Sequence, residues 1–168
     1  KQGLVTVNGE VIKDGGFKVS YDDDITVNGE KILQSKFTYI MLNKPRGYLS
    51  SVTDDRGRKC VTELVADAGV RLYPVGRLDM DSEGLLLMTN DGELTNALTH
   101  PRHLIPKIYN VKVEGDINKA KVAELAEVDE IEGVKIMPVQ CGLIRHSETS
   151  SVIEMVLYEG KNRQIRKM

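Results

Sequence analysis

Residues 76–92 contain an aspartate, Asp79, whose flanking residues would restrict its position. Asp79 follows an Arg-Leu pair and precedes a bend marked by Gly84. The apolar run Leu-Leu-Leu-Met comes next, and its length is typical of a buried strand. This order predicts a carboxylate that is held at the start of a strand over residues 85–89.

Two other interpretations of Asp79 compete with a chemical role. Residues 79–84 have the alternating acids and the sixth-position glycine of a calcium loop, but the twelfth position, which needs glutamate, is Asn90. Calcium is therefore disfavoured, and no metal site is predicted. Asp79 could also serve only as a cap or as a partner of Arg77, and the segment alone does not decide between that role and catalysis.

The overall composition is that of an ordinary globular protein. The chain has 168 residues, of which 40% are hydrophobic and 29% are charged, enough for one domain with a core and a small appendage. No apolar run approaches 18 residues, so no membrane association is expected. Cys60 and Cys141 lack metal-ligand spacing, which favours reduced thiols and a cytoplasmic location.

Charge is unevenly distributed along the chain. The net charge of −2 is unusual for a nucleic-acid-binding protein. Basic residues nevertheless concentrate in residues 44–59 and 161–168, whereas acids concentrate in residues 22–24 and 124–132. The two basic stretches would form a phosphate-binding face if the fold brought them together, and ordinary solvated surface if it did not.

A short repeat marks the N-terminal region. Residues 6–12, Thr-Val-Asn-Gly-Glu-Val-Ile, recur almost unchanged at residues 26–32. Asn-Gly between β-prone residues predicts a hairpin at each copy. This β-rich unit resembles the second half of the alpha-L RNA-binding module, without its two leading helices. The resemblance implies a partial RNA-binding module at residues 1–35, in a chain expected to lack its natural start.

From residue 36 onward the sequence predicts longer elements. Strands are expected at residues 37–43, 85–89, 108–114, 134–144 and 151–159. Helices are expected at residues 61–68, 93–98 and 119–127, with a further helix beginning within residues 160–168. The predicted fold class is α+β, with a mixed, largely antiparallel sheet and flanking helices.

Four segments, in this order, resemble the motifs of the pseudouridine synthases that modify ribosomal RNA. They are Asn-Lys-Pro-Arg-Gly at residues 43–47, Gly-Arg-Leu-Asp with the following Gly-Leu-Leu-Leu at residues 76–87, Lys-Ile-Tyr at residues 107–109, and Glu-Gly-Lys-Asn-Arg-Gln-Ile-Arg-Lys-Met at residues 159–168. Their order and number make the match specific. The resemblance implies the fold of that family and a catalytic domain over residues 36–168, expected to be truncated at its C-terminus.

The resemblance also implies roles for individual residues. Asp79 would be the catalytic carboxylate, Arg166 its ionic partner, and Tyr109 a flat surface for the base whose hydroxyl could move a proton. Whether Asp79 attacks the sugar, attacks the base or removes a proton from the sugar stays open. The residues expected to contact substrate or RNA are Lys44, Arg46, Arg77, Lys107, Asn162, Arg163 and Ile165.

Residues 100–103, His-Pro-Arg-His, superficially suggest a metal pair. The proline breaks the helical spacing that would aim both imidazoles at one ion. The segment is therefore interpreted as a loop after a helix, where His100 and Arg102 are expected to contact RNA phosphate.

The function implied by these motifs is isomerisation of a specific uridine in ribosomal RNA, with the large subunit favoured over the small one. Because the isomerisation neither gains nor loses atoms, no cofactor is expected. Ribosomal RNA is the expected partner, and a monomer is the expected state. The alternative from another class is a non-catalytic RNA-binding protein of ribosome assembly with the same fold.

Overall fold

The computed structural model describes residues 4–20, 22–32 and 36–168. Contacts divide the chain into two units, Lys1–Thr38 and Tyr39–Met168. Among the described residues all strand pairs are antiparallel, and the helices are short. The predicted α+β class with largely antiparallel sheets is confirmed. In the same part of the chain, no helix combines the length and apolar character needed to cross a membrane.

The N-terminal unit contains both predicted hairpins. Its strands are β1 (Val5–Val7), β2 (Glu10–Ile12), β3 (Ile25–Val27) and β4 (Glu30–Lys31), in the sheet order β2-β1-β3-β4. The turn residues Asn8 and Gly9 have φ of 51° and 85°, and Asn28 and Gly29 have φ of 54° and 82°. Two consecutive positive φ values match the twist of a two-residue hairpin, which explains the Asn-Gly pair at each turn.

The two copies of the repeat pair with each other through equivalent residues. β1 and β3 are antiparallel neighbours in which Thr6 lies opposite Thr26. Their hydroxyl oxygens are 2.7 Å apart and form a hydrogen bond. The repeat therefore builds one four-stranded sheet from two similar hairpins.

The second unit contains the remaining strands and helices. The strands are β5 (Tyr39–Lys44), β6 (Tyr73–Val75), β7 (Gly84–Thr89), β8 (Lys107–Glu114), β9 (Glu130–Ile131), β10 (Val134–Lys135), β11 (Gln140–His146) and β12 (Ser150–Leu157). The α-helices are α1 (Gly92–Thr99), α2 (Lys119–Ala126) and α3 (Gln164–Lys167). Two 3₁₀-helices span Val61–Ala68 and Pro101–His103.

Two hydrophobic clusters support two three-stranded sheets. Strands β11-β12-β8 form one sheet, and β12 at its centre buries Ile153, Met155 and Leu157 with Val122 of α2. Strands β5-β7-β6 form the other sheet, which shares a cluster with the Val61–Ala68 helix. Each helix thus covers the apolar face that its neighbouring sheet leaves open.

Local signals predicted the helix boundaries well. Asp91 caps α1 by accepting a hydrogen bond from the Leu94 backbone N–H at 2.9 Å. Asn118 caps α2 in the same way through the Lys121 N–H at 3.0 Å. The helix predicted at residues 61–68 is present with 3₁₀ geometry and ends at Gly69, whose φ is 70°.

Three strands differ from the sequence-based prediction. The single strand expected over residues 134–144 is split into β10 and β11, and Pro138 between them cannot donate a ladder hydrogen bond. Strand β6 was missed; it is only three residues long, and its Pro74 is tolerated because β6 lies at a sheet edge. Strand β7 alternates instead of being fully buried, with Leu85 68% exposed.

Candidate active site

The loop that carries Asp79 connects the edge strand β6 to the central strand β7. Lys44, the last residue of β5, lies opposite Gly84, the first residue of β7. The end of β5 therefore runs beside the loop. Gly47 follows that strand end and donates its N–H to the Met80 carbonyl at 2.8 Å, so the segment after β5 also contacts the loop.

Lys44 is a structural residue rather than an RNA contact. Its side chain is fully buried, and its Nζ donates to the backbone carbonyls of Asp79 at 3.0 Å, Ser82 at 2.8 Å and Pro45 at 3.2 Å. An ammonium group has three donors, so these carbonyls use all of them. The prediction that Lys44 contacts RNA is wrong, because none of its hydrogen-bonding capacity faces solvent.

The electrostatic environment of Lys44 contains two opposing effects. Burial lowers the pKa of Lys44, because removal from water disfavours the charged form. The carboxylates of Asp79 and Asp81 act in the opposite direction. The buried ammonium thus balances the negative charge of the same loop that it holds through backbone carbonyls.

Asp79 and Arg166 form an ion pair across the second unit. Arg166 Nε lies 3.1 Å from Asp79 Oδ2, although the two residues are 87 positions apart. Both side chains are 41% exposed. The Asp79 carboxylate is therefore accessible in the protein without RNA, and the predicted pairing with Arg166 is present.

The short helix α3 is anchored by Gln164, which places Arg166 near the loop. Gln164 is buried, and its amide group donates to Glu159 Oε1 at 3.2 Å and accepts from the Lys161 N–H at 3.1 Å. Glu159 Oε1 also accepts from the Met137 N–H at 2.8 Å. These bonds fix the turn that leads into α3 and thereby the direction of Arg166.

Tyr109 is electrostatically coupled to Asp79. It lies on the inward side of β8 and packs, together with Ile165 and Met168, against the core cluster of β12. Burial raises the pKa of Tyr109, and the nearby charge of Asp79 raises it further. The Tyr109 hydroxyl therefore stays protonated near neutral pH. The Asp79 carboxylate that influences it is exposed.

The other predicted RNA-contacting residues have different surroundings. Arg46 is exposed and pairs with Glu83 at 3.3 Å, and Lys107 donates to the Ile105 carbonyl at 3.1 Å. Arg77, Asn162 and Arg163 are exposed, and within the described ranges the two arginines form no ion pair. Of the predicted RNA-contacting residues, Arg77 and Arg163 are therefore exposed arginines without an ion pair in the described part of the chain.

The two basic stretches of the sequence are partly neutralised by internal contacts. Arg58 holds Asp54 through two hydrogen bonds, of 2.6 and 3.2 Å, which together with backbone N–H groups push the pKa of Asp54 well below its usual range. Lys167 pairs with Glu132 at 2.6 Å, and Lys161 donates to the Lys135 carbonyl. Fewer basic side chains are available for RNA than the sequence count indicates.

The segment after α1 is a 3₁₀ turn rather than an irregular loop. The backbone N–H of Arg102 donates to His100 Nδ1 at 3.2 Å, and Arg102 Nε donates to His103 Nε2 at 3.1 Å. Both imidazoles are thus engaged with Arg102. No group of three or more potential metal ligands occurs in the described part of the chain.

Comparison with known proteins gives one consistent family. The sequence model of a family described as RNA pseudouridylate synthase matches residues 38–168. Ribosomal large subunit pseudouridine synthase B of Bacillus subtilis is 42% identical, over 100% of this chain and 70% of that protein. A protein of Aquifex aeolicus, described as an uncharacterized RNA pseudouridine synthase, is 37% identical over 99% of this chain and 68% of its own length.

A solved structure has the same fold. It is described as a crystal structure of pseudouridylate synthase, and it superposes with a TM-score of 0.70 at 28% sequence identity. The match covers 99% of this chain and 71% of that one.

Removal of the Lys44 ammonium should destabilise the protein. In Lys44→Met the carbonyls of Asp79 and Ser82 lose their donor while the apolar stem is kept, so the free energy of unfolding should fall by about 2–5 kcal/mol. The control Arg46→Met removes an exposed cation and should change it by about 1 kcal/mol or less. Urea unfolding followed by circular dichroism measures both. Equal losses in the two variants would contradict the structural role of Lys44.

The titration of Tyr109 should report the charge of Asp79. A negative neighbour disfavours phenolate, so Asp79→Asn should lower the pKa of Tyr109, while burial keeps it above the ordinary value of about 10. The phenolate absorbance of each protein, minus that of its Tyr109→Phe counterpart, isolates this group. Asp81→Asn is the matched control and should leave the titration unchanged. An identical pKa in the parent and in Asp79→Asn would mean that the two groups are not coupled.

Proposed function

The chain belongs to the RNA pseudouridylate synthase family, and we propose that its substrate is a specific uridine of ribosomal RNA in the large subunit. The family indicated by the four sequence motifs is thereby confirmed. The choice of the large subunit is supported by the name of the Bacillus subtilis relative, which is 42% identical. The observation that carries the catalytic assignment is the Asp79–Arg166 pair beside Tyr109.

Asp79 is the proposed catalytic carboxylate. Its Oδ2 accepts from Arg166, and in the described part of the chain Oδ1 has no side-chain donor, which leaves one oxygen available for the substrate. The Arg166 guanidinium stays charged at any working pH, so a cation stays paired with Asp79 as RNA covers the site. Attack on the sugar, attack on the base and proton removal from the sugar all begin from this ionised oxygen.

Tyr109 is proposed to support the base and to assist proton transfer. The isomerisation breaks the bond from the sugar to N1 of uracil and forms one to C5, after which C5 loses its proton and N1 gains one. A neutral phenol offers both a flat apolar surface and a hydroxyl that can exchange a proton. The raised pKa of Tyr109 supports this neutral form.

The target nucleotide has to leave its stack before it can reach Asp79. Enzymes that act on a base within folded RNA extrude it into a pocket and offset the lost stacking with their own side chains. Arg77 is exposed two residues before Asp79 and has a planar guanidinium that can stack on a base or bind phosphate. We propose that Arg77 occupies the space of the extruded base or holds the adjacent phosphate.

A monomer without a cofactor is sufficient for this chemistry. Asp79, Tyr109 and Arg166 all come from one chain, so the proposed site needs no second copy. Isomerisation conserves all atoms and electrons of the uridine, so it needs no redox group or group carrier. The reaction fits the cytoplasmic setting expected from the two unpaired cysteines.

Two alternatives remain distinguishable by experiment. A small-subunit enzyme would carry the same motifs and differ only in the RNA that it accepts. A non-catalytic assembly protein of the same fold would bind RNA without needing Asp79. The Asp79–Arg166 ion pair and its electrostatic influence on Tyr109 favour an enzyme over a protein that only binds RNA.

Asp79→Asn should abolish conversion while RNA binding survives. The amide keeps the shape of the side chain and loses the charge, so the single-turnover rate should fall by about 10³-fold or more. Release of tritium from ribosomal RNA labelled at uridine C5 measures the rate, and filter binding measures affinity. Large-subunit and small-subunit transcripts are compared side by side.

Asp81→Asn is the matched control for this experiment, because it removes an exposed carboxylate from the same loop. It should retain a rate close to that of the parent. Parental turnover in Asp79→Asn would overturn the assignment of Asp79, and binding without any turnover by the parent would favour the assembly protein.

Arg166→Met should slow turnover with little effect on stability. The free pair is solvent-exposed, so its contribution to folding is at most about 1 kcal/mol. When RNA excludes water from the site, Asp79 would be covered without its cationic partner, and the rate should fall by about 10²-fold. Lys167→Met, one residue away, is the control and should keep the parental rate. Equal rates in Arg166→Met and Lys167→Met would contradict the role of the pair.

A further inference from the structure

Ser50 satisfies both backbone polar groups of the residue that precedes Asp79. Its Oγ accepts a hydrogen bond from the Leu78 N–H at 3.0 Å and donates one to the Leu78 carbonyl at 2.9 Å. A serine hydroxyl has a single hydrogen to donate, and here that hydrogen is committed to Leu78. The sequence carries no local pattern that points to Ser50, because Ser50 lies 28 positions from Leu78.

The segment that carries Ser50 is itself fixed to a hydrophobic core. Leu49 donates to the Lys59 carbonyl at 2.9 Å and accepts from the Val61 N–H at 2.9 Å. Val61 is fully buried in the cluster below the β5-β7-β6 sheet. Ser50 therefore acts from a rigid position, and its hydroxyl limits how far the Leu78 peptide groups can rotate.

Asp79 is consequently held from two sides by different groups. Lys44 binds the carbonyls of Asp79 and Ser82, which fixes the chain after the Asp79 side chain. Ser50 fixes the chain before it through Leu78. The direction of the carboxylate depends on both, because the Cα–Cβ bond of Asp79 is oriented by the peptide groups on either side.

We propose that Ser50 is a positioning residue, which sets the direction of the Asp79 carboxylate without touching the RNA. The proposal rests on the proposed function of Asp79. Without the hydroxyl, both polar groups of Leu78 would turn to water, and the carboxylate would sample orientations away from Arg166 and from the uridine. Displacement of a reacting group by about 1 Å can cost about 10²-fold in rate.

Ser50→Ala should reduce the single-turnover rate of tritium release from C5-tritiated ribosomal RNA by about 10- to 100-fold. The dissociation constant for the same RNA should change by less than about threefold, because Ser50 makes no proposed RNA contact. Ser50→Thr retains the hydroxyl and should restore most of the rate. Ser51→Ala is the matched control, since within the described residues the Ser51 hydroxyl bonds just to the nearby Thr53 carbonyl at 2.8 Å, and it should behave as the parent.

The outcomes separate positioning from structure and from the function itself. A slow Ser50→Ala with intact affinity, rescued by Ser50→Thr, supports the proposal. Parental turnover in Ser50→Ala, equal slowing in Ser51→Ala, or a Ser50→Thr as slow as Ser50→Ala overturns it. Absence of tritium release from the parent would instead overturn the proposed function, on which the inference rests.

Discussion

The buried ammonium of Lys44 is the interaction on which the site depends. A lysine removed from water is tolerated only when its donors are satisfied, and here backbone carbonyls of the 79–82 loop and of Pro45 satisfy them. The same contacts give an otherwise irregular loop a fixed path between β6 and β7. The loop carbonyls thus stabilise the buried Lys44 ammonium, and the ammonium in turn holds the loop in one conformation.

Side chains associated with both sheets of the second unit meet at this loop. Asp79 lies on the loop between β6 and β7 of the β5-β7-β6 sheet, whereas Tyr109 and Ile165 pack on the cluster of β12. The Asp79–Arg166 pair joins them. Each hydrophobic cluster fixes the side chains that pack on it, and the exposed Asp79–Arg166 ion pair between the two sheets contributes little to stability.

The exposure of the pair suits a protein that awaits a large substrate. At 41% exposure Asp79 and Arg166 are accessible to a flipped nucleotide. Covering the site with RNA would remove water and strengthen every electrostatic interaction inside it. Internal pairs such as Arg58 with Asp54 neutralise part of the basic charge, and the net charge of −2 does not by itself exclude RNA binding at exposed arginines.

The sequence by itself determined the features that depend on neighbouring residues or on family motifs. The Asn-Gly turns, the Asp91 and Asn118 caps and the α+β class follow from local backbone preferences, and the motifs identified Asp79, Tyr109 and Arg166. Only the tertiary structure decided what burial and distant contacts impose. It converted Lys44 from an expected RNA ligand into a structural cation and left Asp79 exposed. It also joined Ser50 to Leu78 across 28 positions. A sequence shows which side chains carry a charge or a hydroxyl. Their roles depend on which backbone polar groups are buried away from water, and distant segments must pack together before those groups are determined.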